Sequence, residues 1–167
     1  MQFKVANLTE TPLEISGEID LTAMDTSKTL GLVKVDNTYV ELAISKTDDF
    51  IDVDIFIRVK VILECAYSLE HFDQTYEIED VLTFTNNEEN VSDEVFFHDE
   101  PILDLDPYIY GLILTEIPIR VIKPGAKLPE SGEGYRVIDY ATYLEEKEQR
   151  KNQAFAVLDE LEFDDED

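Results

Sequence analysis

Over most of the first half of the chain, apolar and polar residues alternate with a period of two. In LEISGEIDL, Leu13, Ile15, Ile19 and Leu21 fall on one side of a pleat and Glu14, Ser16, Glu18 and Asp20 on the other, which predicts a half-buried strand. Gly17, in its middle, suggests a bulge or a bend. After LGLVKV, the pair Asp36-Asn37 supplies turn chemistry, and alternation resumes through Val40, Leu42 and Ile44. The longest run places Ile51, Val53, Ile55, Ile57, Val59, Val61 and Leu63 at every second position. Asp52, Asp54, Arg58, Lys60 and Glu64 lie opposite, with Phe56 and Ile62 as apolar exceptions. Such a strand exceeds the usual length of about 5–6 residues, so it is expected to curve, bulge or serve two layers. A further strand is predicted over residues 76–84, followed by the acidic loop NNEENVSDE, expected to be exposed and mobile.

Near Asp104 the period changes. Asp106 suits a helix N-cap and Pro107 the first helical position, while Ile109, Leu112, Ile113 and Ile117 share a helical face that Pro118 ends. KPGAKLPESGEGY, punctuated by Pro and Gly, reads as a loop. Asp139 then caps a second helix through about residue 151, and Ala154, Phe155, Leu158 and Leu161 form a third, short apolar stripe. The expected fold class is α+β, an antiparallel, strand-rich N-terminal half packed with about three helices in the C-terminal half. One domain over residues 1–161 is expected, with an acidic, disordered tail at 162–167.

Charge changes this picture. The 167 residues carry 39 Asp and Glu against 13 Lys and Arg, a formal net charge of −26, yet 44% are hydrophobic, so a core is affordable and disorder is not the default. Nucleic-acid binding through a broad basic face is disfavoured, because phosphate contacts need clustered cations. Local groups such as Lys123 with Lys127, or Lys147 with Arg150 and Lys151, offer little, the latter being followed by an acidic end. No charged leader precedes an apolar stretch, and no run approaches the roughly 18 apolar residues of a membrane span. A soluble cytoplasmic protein without membrane attachment is the expectation, and the single Cys65 fits a reducing compartment.

No Lys or Arg occurs between residues 61 and 119, whereas acids recur there. Two readings are compatible: a solvated acidic face, or a surface that attracts a basic partner. Candidate residues for such a surface are Glu77, Glu79, Asp80, Asp93, Glu94, Asp99 and Glu100. Catalytic, cofactor and metal sites are not predicted. Asp104 with Asp106, or Asp164 with Asp165, lacks the spacing of a calcium loop, and His71 and His98 lack that of a zinc site and read as satisfied polar residues. SGEGYRV lacks the third Gly and the GK[ST] of a phosphate loop and reads as a turn. Cys65 reads as a buried, inert thiol whose neighbours Glu64 and Glu70 oppose thiolate formation.

Taken in order, these blocks resemble the YceD family, the bacterial large-ribosomal-RNA accumulation proteins. The resemblance rests on the strand containing Gly17, the run into Cys65-Ala66-Tyr67-Ser68-Leu69-Glu70, the strand with Phe84, the block ILDLDPYIYGLILTEIPIRVI with Pro118, and the closing NQAFAVLDEL. Cys65, Ser68, Leu69 and Pro118 are thus family-motif positions of unassigned role. Many relatives carry Cys-x-x-Cys where Cys65 and Ser68 stand, with further cysteines later, so a zinc site is not carried over to this chain. A Glu common in the family helix is Tyr110 here. The resemblance implies a non-enzymatic ribosome-biogenesis factor supporting large-subunit rRNA accumulation or processing, expected to bind a basic ribosomal protein or a pre-ribosomal intermediate. Two alternatives are an acidic nucleic-acid mimic that occupies a basic protein groove and, lower, a carboxylate-based, cation-dependent hydrolase.

Overall fold

In the computed structural model, which describes residues 1–149, the long alternating run becomes strand β4 (Phe50–Glu64), at the centre of a five-stranded sheet. It lies between β3 (Leu32–Thr47) and β5 (His71–Thr85), and β2 (Leu13–Ile19) and β6 (Val95–Phe97) complete the order β2-β3-β4-β5-β6. All neighbours are antiparallel except β5 and β6, which run parallel. Strands β1 (Gln2–Lys4) and β7 (Ile102–Asp104) form a separate two-stranded sheet. The α-helices of the described residues are α1 (Asp106–Glu116) and α2 (Tyr140–Gln149).

The broad α+β class stands, but the expected antiparallel sheet packed with about three helices does not. The sheet is mixed, two α-helices are described, and β6 and β7 add strands between the acidic loop and α1, where no element was expected. The reason is length: three-residue strands show no period of their own and are defined by the ladder they join. The third apolar stripe, at 154–161, and the tail lie outside the described residues. The chain divides into two compact units, Met1–Ala126 and one beginning at Lys127.

In the first unit, every apolar residue of the Ile51-to-Leu63 alternation is buried on one face of β4. Val40, Leu42 and Ile44 of β3 lie on the same face, with Ile78, Leu82 and Phe84 of β5. Each such side chain contributes about 1.5–3 kcal/mol through removal from water. Helix α1 covers β5 with Ile109 and Ile113, both fully buried, and the ring of Phe84 meets Tyr108 edge-on at 4.9 Å. β4 pairs with β5 without interruption, so the irregularity expected of β4 sits in β3. Register shifts fall between Leu32 and Lys34 and between Val35 and Thr38, making Asp36-Asn37 part of a bulge rather than a turn. Gly17 pairs regularly with Val40 and marks no bulge.

Asp106 is the first helical residue of α1, not its cap. Its carboxylate pairs with the Met1 ammonium, while Asp104 accepts the Asp106 amide at 3.1 Å. Pro118 follows the C-terminal cap residue Ile117, as its missing N–H requires. In the second unit, Asp139 accepts the Thr142 amide at 2.7 Å and caps α2 as expected, which holds its carboxyl below the usual range. Gly132 and Tyr135 close a small turn within SGEGYRV.

Candidate functional site

The polar phase of the alternation forms the second face of the large sheet. Antiparallel register aligns Glu14, Ala43, Asp54 and Val81 in one row across β2, β3, β4 and β5, and Ser16, Glu41, Phe56 and Glu79 in the next. Each strand therefore supplies one carboxylate, and the carboxylates alternate between the rows, with Ala43, Val81 and Phe56 between them. An open trough of about 950 Å³ runs across the four strands at this level, lined by residues 14–16, 41–43, 54–56 and 79–81. None of its lining residues is Lys or Arg. Val81 is 56% exposed, unusual for an apolar residue in mid-strand.

Just beyond the trough, Arg58 shows how this face holds a cation. Its Nε donates to Glu77 Oε1 at 2.8 Å and its guanidinium lies 5.6 Å from the centroid of the Phe56 ring. Of the acids singled out from sequence, Glu77 and Glu79 stand on this face of β5 and Glu79 lines the trough. Asp80 also lines it, although it pairs with Ile55 and so belongs to the phase of the opposite face. Asp93 and Glu94 precede β6, and Asp99 and Glu100 follow it, on exposed loops outside the trough lining. Glu14, Glu41 and Asp54 were outside that set. The signal for them was present in the polar phase of three separate strands, but only register joins them.

A second cluster lies where β4 passes into β5. The Cys65 amide donates to the Glu70 carbonyl at 2.9 Å and the Leu69 amide to the Cys65 carbonyl at 2.8 Å, closing the turn. Leu69 takes φ 58°, a left-handed conformation uncommon for leucine, and is 69% exposed. The segment after Pro118 returns to this turn. Ala66 donates its amide to the Val121 carbonyl at 2.8 Å, and the Lys123 amide donates to Cys65 Sγ at 3.3 Å. Thus Cys65, Ser68 and Leu69 share one turn, and the strap that Pro118 begins is bonded to it.

Burial pushes the Cys65 thiol up, but the Lys123 amide and donors from Ser68 and Tyr67 outweigh it and hold it lowered to about 7. The sulfur is buried, as expected, but the expectation that Glu64 and Glu70 oppose ionisation is corrected, because amide dipoles dominate at the sulfur. Glu70 is itself held below the usual carboxylate range by Lys123, whose Nζ lies 3.0 Å away. His71 lies 3.4 Å from Glu64, whereas the buried Nε2 of His98 has no hydrogen-bond partner among the described residues, so His98 is not the satisfied residue expected. Among the described residues, no group of three or more His, Cys, Asp or Glu is arranged to hold a metal ion.

No described helix is long and apolar enough to cross a membrane. No curated protein and no solved structure matches the chain. The family model described as "Large ribosomal RNA subunit accumulation protein YceD" matches residues 53–162. That span includes most of β4, all of β5, the Cys65 turn, α1 with Pro118 and α2, whereas β2 and β3 lie before it. With the central strands, the Cys65 turn and the helix ending at Pro118 all inside a match that covers more than half of its length, the chain belongs to the YceD family.

Proposed function

We propose that this chain serves large-subunit ribosomal RNA accumulation as a non-enzymatic factor of the cytoplasm. In this reading it binds a basic ribosomal protein or a pre-ribosomal intermediate through the outer face of its sheet. The observation that carries the reading is the trough: four neighbouring strands each present a carboxylate to it, and no Lys or Arg lines it. Ribosomal assembly partners are cationic because they neutralise RNA phosphate, so a complementary negative face speeds encounter and biases partner choice. The apolar groups among the carboxylates add the affinity that long-range charge does not supply.

A nucleic-acid mimic would use the same charge differently, presenting it on a ridge that enters a partner's groove. The trough interleaves Phe56 and Val81 with its carboxylates, apolar contacts suited to a protein surface rather than to the imitation of a phosphate backbone, which favours the first reading. Depletion of the protein with measurement of mature and precursor large-subunit rRNA tests the role. Reduced large-subunit rRNA, with co-purification of a large-subunit protein or precursor at moderate salt, is the expected result. Unchanged rRNA with neither species recovered refutes it.

A further inference from the structure

We infer that the trough receives an amphipathic basic α-helix of a protein partner, laid across the four strands with one Lys or Arg per helical turn. This rests on the docking role proposed above and specifies the shape and spacing of the ligand. Among the described residues the trough is lined by β2 to β5 alone, and its floor combines Phe56 and Val81 with their carboxylates.

The spacing selects the occupant. Adjacent strands lie about 4.8 Å apart, so Glu14, Glu41, Asp54 and Glu79 fall at about 0, 4.8, 9.6 and 14.4 Å along the trough. Helical positions i, i+3, i+7 and i+10 rise to about 0, 4.5, 10.5 and 15 Å. Those positions also alternate between two stripes roughly 60° apart around the helix, about 5–6 Å at the side-chain radius. The two rows of carboxylates are separated by two strand residues, about 6.7 Å. An extended segment repeats one face about every 6.7 Å and a polyproline helix about every 9.3 Å, so neither meets one carboxylate per strand. Arg58 over Phe56 shows that this ring accepts a guanidinium, and Val81 offers an apolar contact between cations.

The test uses the full chain and fluorescent alanine-based peptides carrying four Arg. In one peptide the Arg occupy positions 1, 4, 8 and 11; in a second they are dispersed around the helix; in a third the first arrangement is interrupted by Pro. Fluorescence anisotropy is expected to show about tenfold tighter binding of the first peptide, with a gain in its helical circular dichroism on binding. Glu41→Gln and Glu79→Gln are each expected to weaken it about two- to fivefold, the range of an exposed charge pair. Equal binding of all three peptides, still weakened by the Gln variants, overturns the helical ligand while leaving the acidic docking face intact. Binding indifferent to both variants overturns the docking face as well.

Discussion

Asp54→Asn separates a carboxylate kept for binding from one that holds the fold. In the two-row arrangement Asp54 has Glu41 and Glu79 as diagonal neighbours and Glu14 two strands away in its own row. Diagonal positions lie about 7–8 Å apart, and two strand spacings give about 10 Å. In water, unit charges at these distances repel by about 0.6 and 0.4 kcal/mol respectively. With a Debye length of about 10 Å at 0.1 M salt, the repulsions from these three trough carboxylates sum to about 0.7 kcal/mol, and Asp52, two residues away on the same face of β4, adds to them. At 1 M salt screening leaves about 0.1 kcal/mol. No side-chain hydrogen bond or ion pair holds Asp54 among the described residues, so its neutralisation removes repulsion without orphaning a partner. Urea unfolding at both salt concentrations, with linear extrapolation to water, reads the difference directly. Asp54→Asn should be more stable than the parent chain at low salt, with the gain fading at 1 M. A loss of more than about 1 kcal/mol at either salt would refute the reasoning, because it would mean that the carboxylate supports the fold.

Gly31 has φ 82°, and a Cβ there would stand 2.9 Å from Val121 Cγ2, so Gly31→Ala should lower stability by about 1–3 kcal/mol in thermal unfolding. Ile113→Ala removes a fully buried side chain of α1 and should cost about 2–5 kcal/mol in the same assay. Because the folded Cys65 thiol is lowered from 9.0 to about 7, the unfolded chain binds more protons at this site between those values. Stability from this group is therefore full above the unfolded pKa and lost as pH falls through about 7. The pH dependence of urea midpoints from pH 7 to 9 should carry this rising contribution, and Cys65→Ser should remove it.

The strands were legible where burial is one-sided. The alternation through β4 survives into the fold residue by residue, because a one-residue slip would turn a whole apolar set to water, whereas β2 keeps its pleat with Leu13 exposed and the strand at residues 76–84 of β5 is interrupted by Asp80 and Val81. Asp36-Asn37 misled because turn chemistry and bulge chemistry use the same residues, and only pairing with β4 distinguishes them. Asp106 looked like a cap by type and position, but the Met1 ammonium competes for its carboxylate and Asp104 serves the amide. The acid-rich segment pointed to β5 yet not to the trough. Glu14, Glu41, Asp54 and Glu79 are far apart in sequence and meet only through three successive registers, which periodicity within a single strand does not encode. At Cys65, the neighbouring acids were visible in sequence, whereas the Lys123 amide arrives from a segment 58 residues away.

The central claim is that the trough carboxylates recruit a basic component of large-subunit assembly. Its most direct measurement compares the tagged parent chain with the triple variant Glu41→Gln/Asp54→Asn/Glu79→Gln, purified from native lysate at moderate salt. Recovery of large-subunit precursor rRNA and its bound proteins is quantified after equal folding of the two chains is confirmed by circular dichroism. The parent is predicted to retain these species and the variant to lose most of them, with the difference between the two chains narrowing as salt rises and screens the parent's charge contacts. Equal recovery by two equally folded chains would contradict the claim.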